Sequence, residues 1–222
     1  MLPRDEVVTG IGQELEGFAR LVRSLDATEW MLPSRCEGWT AADVAGHLVG
    51  AFADITSGRV DGQGTAEVSE RQAAERRGRT AAEVADELDV VRKRTAKMLS
   101  SFDDAVWSAE APGGSGLTVG QAMASFWCGT YVHGDDIRAA AGRPSERGPG
   151  LRAAVHFVAD ELTRKNWGPA VLALDGLDDV CVGDAADARR ITGDPLAFLL
   201  VATGRADPAT MGLDPSVNVY AE

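Results

Sequence analysis

Three segments of this 222-residue chain begin with a helix start signal and continue as an amphipathic run, which restricts the fold more than any other feature. The signals are Thr40-x-x-Asp43, Thr80-x-x-Glu83 and Thr118-x-x-Gln121. In each, the threonine hydroxyl and the polar side chain three residues later can satisfy backbone N–H groups that a helix leaves unpaired at its start. The sequence therefore predicts three helices with well-defined first turns.

An earlier segment carries apolar residues at spacings of three and four, as the buried face of a helix requires. These residues are Val8, Ile11, Leu15, Phe18, Val22 and Leu25, and we expect this first helix to end before Pro33. The three capped segments carry similar stripes. Four amphipathic helices within about 140 residues predict a four-helix bundle.

Two further segments predict how the rest of the chain is organised. Residues 58–79 are rich in glycine, alanine and charge, which predicts a mobile connection with room for a short polar helix. Residues 142–150 combine glycines and prolines and predict a boundary between a domain at 1–143 and a domain at 150–222.

The second domain changes character. We expect a helix over 151–162, β-strands at 170–174 and 180–182, a helix from Asp194-Pro195 to Gly204, and a closing strand at 217–220. The predicted fold class is thus mainly α, a four-helix bundle followed by a small α+β domain.

Composition excludes several classes of partner. The formal net charge is −12, whereas proteins that bind a nucleic-acid backbone or an anionic membrane need clustered lysine and arginine. The three cysteines, Cys36, Cys128 and Cys181, are odd in number and far apart, which is typical of a reducing cytoplasm. The sequence has no signal-peptide or membrane-spanning pattern, and we expect a soluble cytoplasmic protein.

His47 and His133 are two of only three histidines, and each lies in the apolar stripe of a predicted helix. A single histidine in such a stripe is usually a core residue, and we interpret the third, His156, in this way. Two inward imidazoles in one bundle instead indicate a shared metal or acid–base site. The acidic pair Asp135-Asp136 is interpreted as solvated or capping, and the helix-borne Cys128 as a small core residue.

Three segments carry a resemblance to a known family: residues 33–48 (PSRCEGWTAADVAGHL), residues 132–138 (VHGDDIR), and Gly193-Asp194-Pro195 with Gly204-Arg205. Together they resemble the mycothiol-dependent maleylpyruvate isomerase family of actinobacteria. The resemblance implies a DinB-like four-helix bundle that holds a divalent metal, usually zinc, through a histidine on the second helix and a Glu-x-x-x-His pair on the fourth. It also implies a smaller C-terminal α+β domain that closes over the site. In such enzymes the metal activates the thiol of mycothiol, whose thiolate adds to a conjugated double bond, permits rotation and leaves again.

Carried over position by position, His47 and His133 match the two histidine ligands. The glutamate does not carry over, because Gly129 stands four residues before His133. Asp136, three residues after His133, lies on the correct helix face and is the candidate replacement. Two imidazoles and water make a weak zinc site, since catalytic zinc normally has three protein ligands. Arg205 matches an arginine of the closing domain that is thought to contact the substrate carboxylate, and a helix-end cation is its alternative interpretation.

Three functions are compatible with these residues. The first is a mycothiol-dependent, isomerase-like enzyme or a thiol-dependent transferase acting on a small unsaturated or electrophilic molecule, with His47, His133 and Arg205 as its catalytic residues. The second is a metal-free enzyme in which His47 or His133 is a general base beside the space left by Gly129. The third is a non-catalytic small-molecule-binding or regulatory protein that has kept the fold. We expect the ligand to bind between the bundle end with the two histidines and the C-terminal domain, with Arg205 at the rim.

Overall fold

The structure of the protein is a computed structural model that describes residues 1–184, 186 and 188–221. The chain divides into two compact units, one formed by Pro3–Glu146 and the other by Met1–Leu2 together with Arg147–Glu222. The break between them falls inside the segment rich in glycine and proline. Within the described residues, no helix is both long enough and apolar enough to cross a membrane.

The first unit is helical. Its helices are α1 (Arg4–Arg23), α2 (Ala27–Trp30), α3 (Ala41–Thr56), α4 (Ala66–Ala74), α5 (Ala81–Ser100), α6 (Asp104–Ser108) and α7 (Val119–Ala140). Thr40, Thr80 and Thr118 are the N-cap residues of α3, α5 and α7, each in a complete capping box, as predicted. The first helix ends at Arg23, before Pro33 as predicted, although Leu25 of the predicted stripe lies beyond it and Asp26 caps the separate turn α2.

The four long helices α1, α3, α5 and α7 pack around one apolar core, which confirms the predicted helical bundle. Both α1 and α3 contact both α5 and α7. The largest core side chains, each less than 2 % exposed, include Ile11, Leu15, Phe52, Leu88 and Ile137. Burying a side chain of this size stabilises the fold by roughly 1.5–3 kcal/mol.

The predicted connection between α3 and α5 is ordered by α4, which packs against α3. Gln72 and Ala73 of α4 are only 1 % exposed. Gly50 of α3 permits this approach, because a Cβ at that position would lie 2.6 Å from the Cβ of Gln72. α4 is the short polar helix for which the sequence left room in this segment, and the close contact places Gln72 beside α3.

The second unit contains α8 (Pro149–Arg164), α9 (Pro195–Ala202) and a three-stranded sheet. The strands β1 (Ala170–Leu174), β2 (Val180–Val182) and β3 (Arg189–Gly193) are arranged in the order β2-β1-β3. β1 is antiparallel to β2 and parallel to β3, and α8 packs against α9 and β2. The unit has the predicted α+β character, with β3 as a strand that the sequence did not indicate.

The closing strand predicted at 217–220 is wrong. Pro208–Met211 and Pro215–Val217 are 3-10 helices, the latter capped by Asp214. Val217 and Val219 are both buried, which accounts for the alternating pattern in the sequence. The N–H of Val219 donates to the carbonyl of Ala202 at 2.9 Å, and so pairs with a helix end instead of a neighbouring strand.

Candidate functional site

His47 is held by a contact between α3 and α4. The capping box of α3 starts the helix at Thr40, and two turns later Val44 and Leu48 enter the core with the partly exposed His47 between them. The Nδ1 atom of His47 lies 3.0 Å from Oε1 of Gln72. The close packing at Gly50 is what brings Gln72 within this distance.

The tautomer of His47 follows from the partners of Gln72. The Nε2 atom of Gln72 donates to Oδ2 of Asp54 at 2.8 Å, so its Oε1 is left to accept a hydrogen bond. Burial alone would raise the pKa of Asp54, but the hydrogen bonds from Gln72 and Arg71 and the charge of Arg59 lower it below its ordinary value. Asp54 is therefore an ionised acceptor, and the network assigns the proton of His47 to Nδ1.

His47 is neutral at physiological pH. Burial, reinforced by the neighbouring His133, lowers the pKa of its imidazole to about 3, and the hydrogen bond with Gln72 only partly opposes this shift. Its Nε2 atom thus carries a lone pair at pH 7. Such a group is a weak base, and its unprotonated nitrogen can accept a hydrogen bond or bind a metal ion.

His133 is oriented by a carboxylate of its own helix. On α7 its Nδ1 atom lies 3.2 Å from Oδ2 of Asp136, three residues later on the same helix face. An ionised carboxylate only accepts hydrogen bonds, so this contact favours a proton on Nδ1 and a lone pair on Nε2. A histidine backed by an aspartate is the arrangement of a general base with its orienting partner.

The two imidazoles lie side by side, in agreement with the apolar stripes of α3 and α7. Their ring centroids are 5.2 Å apart and the rings are nearly perpendicular. The ring of Trp39 lies 5.3 Å from His47, and its Nε1 donates to Glu70 at 3.2 Å. Among the described residues, the Nε2 atom of neither histidine has a hydrogen-bond partner. The pair can therefore offer two nitrogen lone pairs to a ligand.

The interpretation of Asp135-Asp136 as solvated or capping is wrong. The two aspartates are 2 % and 0 % exposed. Arg35, from the loop before α3, binds both: its Nη2 lies 2.5 Å from Oδ2 of Asp135 and its Nε 3.0 Å from Oδ1 of Asp136. Because Asp136 contacts Nδ1 of His133 and not Nε2, it lies behind the imidazole rather than beside Gly129, where the missing glutamate would be.

Cys36 belongs to the same cluster, and the sequence reasoning missed it. Its Sγ lies 4.0 Å from Nδ1 of His133 and 3.5 Å from Oδ2 of Asp136. One atom each of Cys36, His133 and Asp136 lie within 4.8 Å of one another, close enough to hold a metal ion. The motif that includes residues 33–48 contains Cys36, but only the folded loop reveals its partners, since they are 97 and 100 residues away in sequence.

Gly129 provides space but no ligand. A Cβ at this position would have no atom within 4 Å. Two imidazoles on one tetrahedral ion would have centroids about 5 Å apart, which the observed 5.2 Å satisfies. The third protein ligand that catalytic zinc normally needs is absent at residue 129, however, so the His47–His133 pair does not supply the full ligand set that the resemblance implies.

Three other residues that the sequence analysis singled out lie elsewhere in the chain. Cys128 is fully buried, in agreement with a core role. Arg205 belongs to the second unit, where its Nη1 donates to the carbonyl of Thr203 at 3.0 Å after the end of α9. This contact fits a helix-end cation, and a role of Arg205 towards a substrate stays a prediction. His156 lies on α8 and is partly exposed.

Comparison with known proteins places this site in context. Residues 11–138, more than half of the chain, match the family model of the mycothiol maleylpyruvate isomerase N-terminal domain. No curated protein matches the sequence significantly.

Two solved structures share the fold over 96 % of both chains. One is the mycothiol-dependent maleylpyruvate isomerase, with 17 % identity and a TM-score of 0.66. The other is a histidine-to-alanine mutant of that enzyme, with 16 % identity and a TM-score of 0.67. The chain therefore belongs to the mycothiol maleylpyruvate isomerase N-terminal domain family.

Proposed function

We propose that this protein is a cytoplasmic, thiol-dependent enzyme that isomerises or conjugates a small molecule with an electrophilic, conjugated double bond, and that its thiol is mycothiol. The observation that carries the proposal is the His47–His133 pair, two imidazoles 5.2 Å apart that each keep Nε2 available. Family membership and the solved relatives, named as mycothiol-dependent maleylpyruvate isomerases, support the same chemistry.

The two histidines would have different roles. His133 would be the general base, because Asp136 contacts its Nδ1 and orients the ring so that Nε2 can accept a proton. His47 stays neutral, since burial holds its pKa at about 3, and would accept a hydrogen bond at Nε2. We therefore assign the role of general base to His133 in this proposal.

A thiol at this site supplies a nucleophilic sulfur that adds reversibly to the conjugated double bond and permits rotation about it. His133 would take the thiol proton at Nε2 when the carbon–sulfur bond forms and return it when that bond breaks, so isomerisation consumes neither proton nor thiol. His47 would accept a hydrogen bond at Nε2 from a donor group of the substrate, or of the thiol compound away from its reacting sulfur. No step of this scheme requires a metal on the two imidazoles.

The space at Gly129 favours a substrate larger or more apolar than one accommodated beside a carboxylate. A Cβ at residue 129 would have no atom within 4 Å, and glycine carries no charge. An apolar group could lie there without leaving a buried carboxylate unpaired. Maleylpyruvate is therefore the first substrate to test, and bulkier conjugated enones and enoates are the next.

The experiment is a spectrophotometric assay of cis–trans isomerisation with mycothiol, with glutathione and without thiol, using the untagged full chain. We expect turnover that needs mycothiol and falls by about 10²-fold or more in His133→Ala, as typical for loss of a general base. Cys181→Ser, an exposed position on β2, is the matched control and should keep full activity. Turnover that is independent of thiol, or unchanged in His133→Ala, would overturn the proposal.

A further inference from the structure

We infer that Cys36, His133 and Asp136 form a binding site for a soft divalent cation such as Zn²⁺, on the Nδ1 side of the His133 ring. The site differs from the His47–His133 pair in its ligand atoms and includes a thiolate. The ligand set that the family resemblance implies is incomplete here because residue 129 is glycine, whereas the Cys36–His133–Asp136 site has three protein ligands.

The ligand atoms already have nearly the spacing that a metal requires. The distance from Nδ1 of His133 to Oδ2 of Asp136 is 3.2 Å. Sγ of Cys36 lies 3.5 Å from Oδ2 of Asp136 and 4.0 Å from Nδ1 of His133. On a tetrahedral zinc with ordinary bond lengths, nitrogen and oxygen ligands lie about 3.3 Å apart and sulfur lies about 3.5 Å from either. Two edges of the triangle match, and the third closes with a shift of about 0.5 Å of the sulfur.

The local charge favours a cation. Asp135 and Asp136 are 2 % and 0 % exposed, and Arg35 is the guanidinium that binds both of them. Oδ1 of Asp135 is buried and has no hydrogen-bond partner among the described residues. A cation beside these two buried carboxylates would add a favourable charge interaction and lower the cost of burying them.

The surroundings prepare Asp136 as a ligand. Arg35 binds its Oδ1, which leaves Oδ2 directed at Cys36 and His133. Such an outer contact fixes a carboxylate ligand in the orientation that binding requires. The side chain of His133 is 17 % exposed and Cys36 is partly exposed, so water or a ligand thiol can reach the fourth position of the ion. A thiolate, an imidazole and a carboxylate select zinc or cobalt over magnesium and calcium.

This inference goes beyond the proposed function and has a consequence for it. A cation at Nδ1 of His133 displaces the proton there, and a neutral ring then carries its proton on Nε2. The same histidine cannot hold the cation and accept a proton at Nε2. Occupancy of the Cys36–His133–Asp136 site would therefore suppress the base action of His133.

The test is a titration of the metal-stripped, reduced full chain with Co²⁺, followed by competition with Zn²⁺. We expect one equivalent of Co²⁺ to produce a thiolate-to-cobalt charge-transfer band in the near ultraviolet, and Zn²⁺ to remove it. Cys36→Ser should abolish the band and weaken Zn²⁺ binding on the order of tenfold or more. Cys181→Ser should retain both, because Cys181 lies on β2 and is exposed.

His47→Ala separates this site from one on the two imidazoles. The band should persist in His47→Ala, since His47 is not a ligand of the inferred site. Two results with the unmodified chain would overturn the inference: Co²⁺ binding without a thiolate band, or no Co²⁺ binding at all. Neither result depends on whether a variant folds. A band that survives in Cys36→Ser or disappears in His47→Ala would also overturn it. All of these readouts are independent of isomerase activity, so they leave the proposed function to its own test.

Discussion

Gln72 of α4 and His47 of α3 are joined by a hydrogen bond of 3.0 Å, and the amide that forms it is only 1 % exposed. The other end of the amide binds the buried Asp54 at 2.8 Å. This chain of contacts fixes which nitrogen of His47 carries the proton. It also makes the chemistry of the site depend on a helix whose sequence is mostly polar.

We expect Gln72→Leu to lower the free energy of unfolding by about 1–3 kcal/mol, because it leaves the Nδ1–H of His47 and a lone pair of Asp54 without a buried partner. Chemical denaturation measures this loss. Gln13→Leu, at an exposed position of α1, is the control and should change stability by less than about 0.5 kcal/mol. If ¹⁵N shifts of the His47 ring in the unmodified protein report a proton on Nε2, the assigned tautomer is wrong.

The depressed pKa of His47 predicts that acid destabilises the fold. The unfolded chain takes up a proton on this histidine near pH 6.5, whereas in the folded protein the pKa is about 3. Between these values the unfolded state binds more protons, so the contribution of this group is complete above pH 6.5 and is lost as pH falls towards 3. The slope from this group is at most about 1.4 kcal/mol per pH unit.

Urea denaturation at several pH values with a chelator present, for the unmodified protein and His47→Gln, measures that slope. The variant lacks the titrating group, so its unfolding free energy should depend less on pH between 6.5 and 4. Equal slopes for the two proteins would show that His47 is not the group responsible. An NMR titration in which the His47 ring protonates with a midpoint above pH 5 would contradict the same prediction directly.

Sequence patterns predict the helices of the bundle well because their signals are local. Thr40 and Asp43, for example, are three residues apart and satisfy each other's backbone N–H groups, so the start of α3 needs no tertiary information. The stripe that contains Val44 and Leu48 also predicts which way His47 points. The proximity of the two imidazoles follows from these patterns together with the packing of α3 against α7.

The partners of the site residues cannot be predicted in this way. A helical period shows that Asp136 and His133 share a face, but it does not show that Arg35, about 100 residues earlier, binds both aspartates there. Gln72 is buried in a segment with few apolar residues, so its burial has no signal in composition. Val217 and Val219 alternate as a strand would, yet Pro215 and the Asp214 cap place a 3-10 turn there. Long-range polar contacts and short turns are decided by tertiary packing.

Arg35→Ala should destabilise the protein by about 3 kcal/mol, since it leaves two buried carboxylates without their guanidinium. Thermal and urea unfolding measure the effect. Arg20→Ala is the control, because its ion pair with Glu16 is exposed on both sides and should contribute less than about 1 kcal/mol. Equal losses in the two variants would mean that the buried carboxylates find compensation elsewhere.

Gly129 is an open helical position, so substitution there should be tolerated. Gly129→Ala should raise the free energy of unfolding by up to about 1 kcal/mol through helix propensity. Gly10→Ala should lower it instead, since its Cβ would lie 2.1 Å from the ring of Trp127.

Gly129→Glu adds a carboxylate one turn before His133 and should strengthen zinc binding at the His47–His133 pair. The double variant Gly129→Glu/Cys36→Ser should bind Co²⁺ without a thiolate-to-cobalt charge-transfer band. Elemental analysis and Co²⁺ spectra of the double variant measure this, with Cys36→Ser alone as the reference. No gain in affinity over the reference would show that a carboxylate at residue 129 does not reach an ion on the two imidazoles.

Arg205→Ala distinguishes a substrate-binding role from a helix-end role. A guanidinium that binds a substrate carboxylate would contribute to KM, and its loss should raise KM on the order of tenfold while the melting temperature changes little. A guanidinium with a helix-end role, such as its hydrogen bond to the carbonyl of Thr203 after α9, would contribute less than about 1 kcal/mol to stability and nothing to KM. Arg190→Ala, which removes an exposed ion pair with Asp179 in the same unit, is the matched control for both measurements. A carboxylate substrate and its amide analogue give a second readout: Arg205→Ala should reduce the preference for the carboxylate, whereas an unchanged preference would assign Arg205 to the helix end alone.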